Sequence, residues 1–323
     1  YIYVRVKIGK VKGYKKITDK KIVRKIISYA IPFIVINIVS SLYNFLDMMI
    51  LIKTMTYIGY ETIDVEFICS AVTTWSPKIN MIVTSIAMGM SMSLIPTIVS
   101  SYVKNDINGV NESINQAIEI ILFVSIPLVI GISLLSYDVW NVFYGINVLG
   151  SRILSINIFL GLLINLFMIL SSTLQGLNKF KLVYLSTITG FLCNALLDAP
   201  LIIIFSKIGL GYIGTIIASV FGYSLSIIII IYGLKKECNI NFSELLSFMK
   251  KLIVPVAIEL GVLLIIRYLD KGIGVSKLDS LLSIFINGII CFIIYIVISF
   301  KMGIVTKLFG RDIIKKLTFG KIS

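Results

Sequence analysis

The stretch NIVSSLYNFLDMMI, residues 37–50, places Asn37, Ser40, Ser41, Asn44 and Asp47 inside an otherwise apolar run that extends from about 26 to 52. A hydrocarbon core about 30 Å thick takes roughly 20 apolar residues to cross as a helix, so this run is long enough. In a helix Asn37, Ser41 and Asn44 recur at spacings of three and four and share one face, with Ser40 and Asp47 slightly to its side. The run therefore reads as a membrane helix with one polar face. What that face meets depends on the rest of the chain.

Hydrophobic residues make up 58% of the chain and charged residues 14%, with a mean hydropathy of +1.00. Soluble domains run near one half and one quarter. Seven more segments have the length and apolarity of a span: about 77–101, 114–135, 152–174, 182–205, 212–234, 251–269 and 278–300. With no water in the bilayer to satisfy backbone groups, all eight are expected as helices. The expected fold class is an all-α polytopic membrane protein with eight transmembrane helices. The chain opens on Tyr1 with a basic segment and no cleavable leader, and so reads as lacking its own start.

The net charge of +14 is distributed as a topology signal. With both termini in the cytoplasm, 23 of the 30 Lys and Arg fall on the inner side and 7 on the outer, which is the positive-inside bias. The basic residues flank spans instead of forming an aromatic-interleaved patch, which argues against nucleic acid as a partner. The segment KKITDKKIVRK, residues 15–25, suits anionic inner-leaflet lipids instead. Cys69, Cys193, Cys238 and Cys291 are far apart and the chain has no His, so no zinc, disulfide or redox centre is expected. Nucleophile–His pairs are excluded on the same ground, and no phosphate-binding GxxxxGK[ST] loop occurs.

Two more spans repeat the polar stripe of the first: Asn80, Thr84, Ala87 and Ser91, and then Thr187, Gly190, Asn194 and Asp198. Small and hydroxyl residues also serve plain helix packing, so the Ser, Thr and Gly members alone do not separate a cavity from a close contact. Acids are harder to place against lipid, because each costs roughly 2.5–3.5 kcal/mol at a span centre. Asp47 and Lys78 fall at one depth and could pair, although Lys78 could equally reach the outer headgroups. Glu119, near the inner end of its span, reads as a solvated interface residue. Glu259 lies mid-span in VPVAIELGVLLIIRYL, residues 254–269, where a buried carboxyl is either protonated, paired or exposed to a water-filled groove, and a groove or a partner is the favoured reading. Prolines at 32, 77, 96, 127, 200 and 255 sit in or at the ends of spans; kinked helices suit a transporter but are tolerated in membranes generally.

Four stretches carry a family resemblance: AIPFIVINIVSSLYNFLDMMI (30–50), SPKINMIVTSIAMGMSMSLIPTIVSSYVKND (76–106), IPLVIGISLLSYDVWNVFYG (126–145) and SSTLQGLNKFKLVYLSTITGFLCNALLDAPLI (171–202). Phe143, Tyr144 and Gly145 and the LQGLNK turn at 174–179 are its most specific marks. Together they resemble the second half of the sporulation-type lipid II flippases, the MurJ-related branch of the multidrug/oligosaccharidyl-lipid/polysaccharide exporter superfamily. The resemblance implies one six-helix lobe (26–234) after a basic inter-lobe segment (1–25), then a cytoplasmic loop (235–250), a terminal helix pair (251–300) and a basic tail (301–323).

It also implies a first lobe outside this chain as partner, and a cell-membrane location. The implied function is flipping of a polyprenyl-linked saccharide lipid, lipid II, by alternating access, without enzymatic chemistry or a cofactor beyond a coupling Na⁺ or H⁺. Asn37, Asn44, Asp47, Lys78, Asn80, Thr84, Asn194 and Asp198 are the cavity candidates, chosen by stripe and depth. The implied tail groove of the terminal pair places Glu259, Ser283 and Asn287 near the lipid chain. The rivals are a flippase for a teichoic-acid or polysaccharide unit and a multidrug or cation antiporter. The antiporter is disfavoured by the terminal pair, and a glycosyltransferase by the lack of a DxD-bearing loop.

Overall fold

The computed structural model describes residues 19–269 and 276–310, with the side chains of part of the first helix, Asn37 among them, outside the described residues. Most of the basic segment 1–25, residues 270–275 and the tail beyond 310 also lie outside them. Every described element is helical. Six runs are long and apolar enough to cross a membrane: Thr62–Val103, Ile107–Leu134, Val148–Gly176, Phe180–Ser206, Gly211–Cys238 and Lys277–Lys301. The other two predicted spans fall on helices as well, the first on α1 (Asp19–Ile58) and the seventh on α10 (Ser243–Leu269).

The second span is not one regular helix. It runs as α2 (Thr62–Ser70), a π-helical turn at Ala71–Trp75, α3 (Ser76–Ser91), a 3₁₀ turn at Met92–Leu94 and α4 (Ile95–Val103). Each irregularity precedes a proline. Pro77 cannot donate to the carbonyl of Thr73 and crowds it, and Pro96 does the same to Met92, so the ladder widens at one site and tightens at the other. Residues 53–75, which lie between the first two expected spans, are mostly helix: α1 continues to Ile58, Gly59 (φ +100°) ends it, and α2 buries Val65, Ile68 and Cys69 on one face. The loop expected at 235–250 shrinks in the same way, because α9 (Gly211–Cys238) and α10 leave only residues 239–242 between them.

The remaining helices are α5 (Ile107–Leu134), α6 (Ser136–Tyr144), α7 (Val148–Gly176), α8 (Phe180–Ser206), α11 (Lys277–Lys301) and α12 (Ile304–Phe309). Their starts are legible in side chains that accept backbone N–H groups. Asp106 caps α5 through Gly109, Asn147 caps α7 through Gly150, and Ser276 with Asp279 forms a capping box on α11. Asn178 (φ 57°) turns the chain between α7 and α8.

Packing places α7 against α3, α5 and α9, and α8 against both α9 and α1. The α8–α9 contact is the closest. A Cβ on Gly190 would lie 2.5 Å from the carbonyl of Gly222, and one on Gly222 would lie 2.8 Å from that of Gly190. Ser226 Oγ donates to the Ser186 carbonyl at 2.9 Å across the same seam. Two apolar clusters form, one toward each end of the bundle. The terminal pair, α10 and α11, packs on itself, on α5 and on α6.

Candidate functional site

A cavity of about 260 Å³ opens among α1, the π turn, α3, α7 and α9. Tyr43, Asn44 and Asp47 face it from α1, Thr73 from the π turn, Asn80 and Thr84 from α3, Asn157 from α7, and Thr215, Ser219 and Tyr223 from α9. Helical spacing is the cause. Asn44 and Asp47 sit three apart, Pro77, Asn80 and Thr84 follow at three and four, and Thr215, Ser219 and Tyr223 at four and four.

Asp47 is 8% exposed and anchors the site. Its Oδ2 accepts from Ser219 Oγ at 3.1 Å, and its Oδ1 accepts from Asn194 Nδ2 on α8. Asp198, one turn further along α8, is fully buried and close enough to Asp47 for the two charges to repel. The Thr215 hydroxyl is the polar neighbour of the Asp198 carboxyl without a hydrogen bond of normal geometry between them, and among the described residues neither Asp198 oxygen has another partner. Tyr43 OH, Asn80 Oδ1 and Asn194 Oδ1 are likewise buried and, among the described residues, unpartnered. Buried polar atoms are normally satisfied, so this many free oxygens in one region is a feature that asks for a ligand, water or proton.

The π turn contributes through its backbone. Asn157 Nδ2 donates to the Val72 carbonyl at 2.9 Å, and Asn80 Nδ2 donates to the Asn157 carbonyl at 3.3 Å, linking α3, α7 and the turn. Among the described residues no group of three or more His, Cys, Asp or Glu is placed to hold a metal. The arrangement is two carboxylates with neutral amide and hydroxyl oxygens and, among the described residues, no cationic side chain in the lining, which suits a hard cation or a proton.

The structure brings Asn44, Asp47, Asn80 and Thr84 to one wall and sets Asn194 and Asp198 directly behind Asp47. Lys78 is not among them. It is exposed on the side of α3 that carries Ile82 and Ser85, is not in the cavity lining and forms no ion pair with Asp47, because one residue beyond Pro77 the helix has already turned about 100°. Tyr43, Thr73, Asn157, Thr215 and Ser219 were not anticipated. Asn157, an amide within an apolar span, and Thr215 with Ser219, four apart, carried the same signal as Asn80 and Thr84.

Glu119 also differs from expectation. It is 2% exposed rather than solvated, because α12 folds back over α5 and brings Lys307 Nζ to 2.5 Å from Glu119 Oε1. Lys307 lies over the Phe248 ring at 5.3 Å, and Gln116 Nε2 donates to the Leu308 carbonyl at 2.8 Å.

A second cavity, about 520 Å³, lies between α3, α5, α10 and α11, with Phe309 of α12 at one end. Glu259 lines it and is 3% exposed. Ser283 and Asn287 do not line it. Ser283 Oγ donates to Asp138 Oδ2 on α6 at 3.2 Å, and Asn287 Nδ2 donates to Ser283 Oγ at 3.1 Å. They share a helix face with Ser280, which meets Asn141 of α6, whereas Ile284, Gly288, Cys291 and Tyr295 form the neighbouring face that fronts the cavity.

An all-helical bundle of membrane-length helices with polar faces of α1, α3, α7 and α9 turned to a common cavity defines a multi-pass membrane fold, and the MatE family model matches residues 32–199, more than half of the chain. The chain belongs to the MatE family. Over 300 residues it is 28% identical to the lipid II flippase MurJ of Bacillus subtilis (strain 168), covering 90% of this chain and 54% of that protein. A solved structure of lipid II flippase MurJ in an inward closed conformation superposes with a TM-score of 0.63 at 17% identity, covering 88% of this chain and 54% of that one. The chain thus spans about half the length of the relatives it matches.

Proposed function

We propose that this chain forms the second lobe and terminal pair of a flippase that moves lipid II from the inner to the outer leaflet of the cell membrane, with a preceding lobe as its partner. The observation that carries this reading is the alignment of nine tenths of the chain with a lipid II flippase. The charge bias supports a topology with both ends of the chain in the cytoplasm.

No bond is made or broken. A sugar–pyrophosphate headgroup crossing hydrocarbon unaided loses its hydrogen bonds to water, at several kcal/mol per polar group. The Asn44, Asn80 and Thr84 wall offers replacements on the face that a first lobe would oppose, while the polyprenyl chain stays in lipid or in the apolar cavity of the terminal pair. The Asp47–Asp198 cluster is the coupling element. With Asn194, Thr215 and Ser219 it offers oxygens to one Na⁺ or to a proton, which would relieve the repulsion of two buried carboxylates and favour one arrangement of α1, α8 and α9. One charge moved through 100 mV is worth about 2.3 kcal/mol, enough to bias such an equilibrium.

The test is depletion of the full-length protein followed by measurement of lipid II in each leaflet. Accumulation of lipid II on the inner leaflet, reversed by the wild-type gene, is the expected result. Normal lipid II distribution with accumulation of another polyprenyl-linked saccharide would overturn the substrate.

A further inference from the structure

The cavity between α3, α5, α10 and α11 has one property that a neutral lipid chain leaves unused. At about 520 Å³ it lies within the size range of sites for drug-sized molecules. Its walls are aliphatic and aromatic, and among the described residues Glu259 is the only charged one lining them. Glu259 Oε2 is buried without a hydrogen-bond partner among the described residues. The nearby Tyr295 hydroxyl is committed to the Phe123 carbonyl at 2.8 Å. Arg267, two turns along α10, is exposed and makes no ion pair with Glu259 among the described residues. Ile86 and Phe292, both exposed, flank an opening on the outside of the bundle.

A buried carboxylate without a counter-charge is costly, and ionisable groups persist inside membranes chiefly where they bind or transport something. A bare inorganic cation would find a single carboxylate there and no further oxygens to replace its water shell. The apolar walls favour a cation that brings its own hydrocarbon. We propose that this cavity is a binding site for a lipophilic cation, an aliphatic chain ending in an ammonium group, with Glu259 as its counter-charge. The chain displaces nothing polar from the walls, and the N–H groups give Glu259 the charge-assisted hydrogen bonds that the protein does not supply. Such a ligand would compete with any neutral lipid chain for the same walls.

Cys291, 2% exposed and on the cavity wall, is a built-in reporter. The intact protein, with every cysteine but Cys291 changed to serine, is reconstituted in phosphatidylcholine nanodiscs and alkylated with a membrane-permeant maleimide. Dodecylammonium is expected to slow alkylation at a concentration about tenfold below that of dodecanol, the effect of one charge-assisted hydrogen bond. Glu259→Gln should erase that advantage while leaving dodecanol protection unchanged. Equal protection by the two amphiphiles in the Glu259 protein, an ammonium advantage that survives in Glu259→Gln, or a Cys291 that never reacts would each overturn the proposal. The first comparison needs no variant at Glu259, so a folding defect in that variant does not shield the idea. This site stands apart from lipid II transport: loss of ammonium selectivity leaves the flippase reading intact, and a failure to flip lipid II leaves the alkylation result intact.

Discussion

Ser219 Oγ donates to Asp47 Oδ2 at 3.1 Å, tying α9 to α1 through a buried carboxylate that α8 holds from the other side through Asn194. Three helices thus meet on one side chain. A change of charge or ligand at Asp47 acts on both hydrogen bonds together, which is what a coupling element between helices requires.

For the proposed coupling role, Asp47→Asn is expected to insert and fold but to lower transport by at least about tenfold, a loss of about 1.4 kcal/mol or more in the relevant step. The remaining rate should no longer respond to the Na⁺ or proton gradient. Flipping assayed in proteoliposomes with imposed gradients checks both points, and full gradient-dependent transport would reduce Asp47 to a packing residue.

Gly190→Ala places a methyl 2.5 Å from the Gly222 carbonyl and 1.9 Å from Ser226 Oγ, and backbone cannot yield as a flexible side chain can. The expected cost is about 1–3 kcal/mol of overpacking. At Gly261 on α10 nothing lies within 4 Å of an added Cβ, so Gly261→Ala should be neutral or should stabilise by up to about 1 kcal/mol through backbone entropy. Thermal unfolding in a mild detergent separates the two; equal midpoints would contradict the close α8–α9 seam.

Lys307→Ala leaves Glu119 buried with no counter-charge. Removing one partner of a fully buried pair costs about 3–5 kcal/mol. Lys307 is 44% exposed, so water screens the pair and about 1–3 kcal/mol is expected. Glu119→Gln with Lys307→Gln should recover part of that loss, since no charge is then stranded. A double-mutant cycle on unfolding midpoints measures the coupling, and strict additivity would mean that the pair contributes nothing.

Asn157→Leu removes the donor to the Val72 carbonyl and should cost about 1–3 kcal/mol for the stranded acceptor. The effect should be local. Amide hydrogen exchange is expected to speed up in residues 71–80 with little change in α8 and α9, and an unchanged exchange pattern would show that the π turn stands on its own.

Much of this architecture was legible in the chain itself. Hydrocarbon thickness demands about 20 apolar residues per crossing, so the eight segments stand out as helices before any contact is known. The period of 3.6 likewise put Asn44 with Asp47, and Asn80 with Thr84, on single faces. What periodicity could not say is which face meets which. Lys78 sits at the depth of Asp47 yet points elsewhere, because depth is a property of one helix and direction is a property of two.

The ion pair between Glu119 and Lys307 spans 188 residues and exists only because a short helix beyond the last span folds back onto α5. Ser283 turned to α6 instead of the apolar cavity for the same reason, since Asp138 was there to accept its hydrogen bond, and Asn287 donates in turn to Ser283. Sequence alone determined what must lie in the membrane and which residues on each helix share a side, since solvent and helix geometry act on every segment separately. Only the tertiary structure decided the partners, because a buried polar group is satisfied by whatever the packing of distant helices brings within about 3 Å of it.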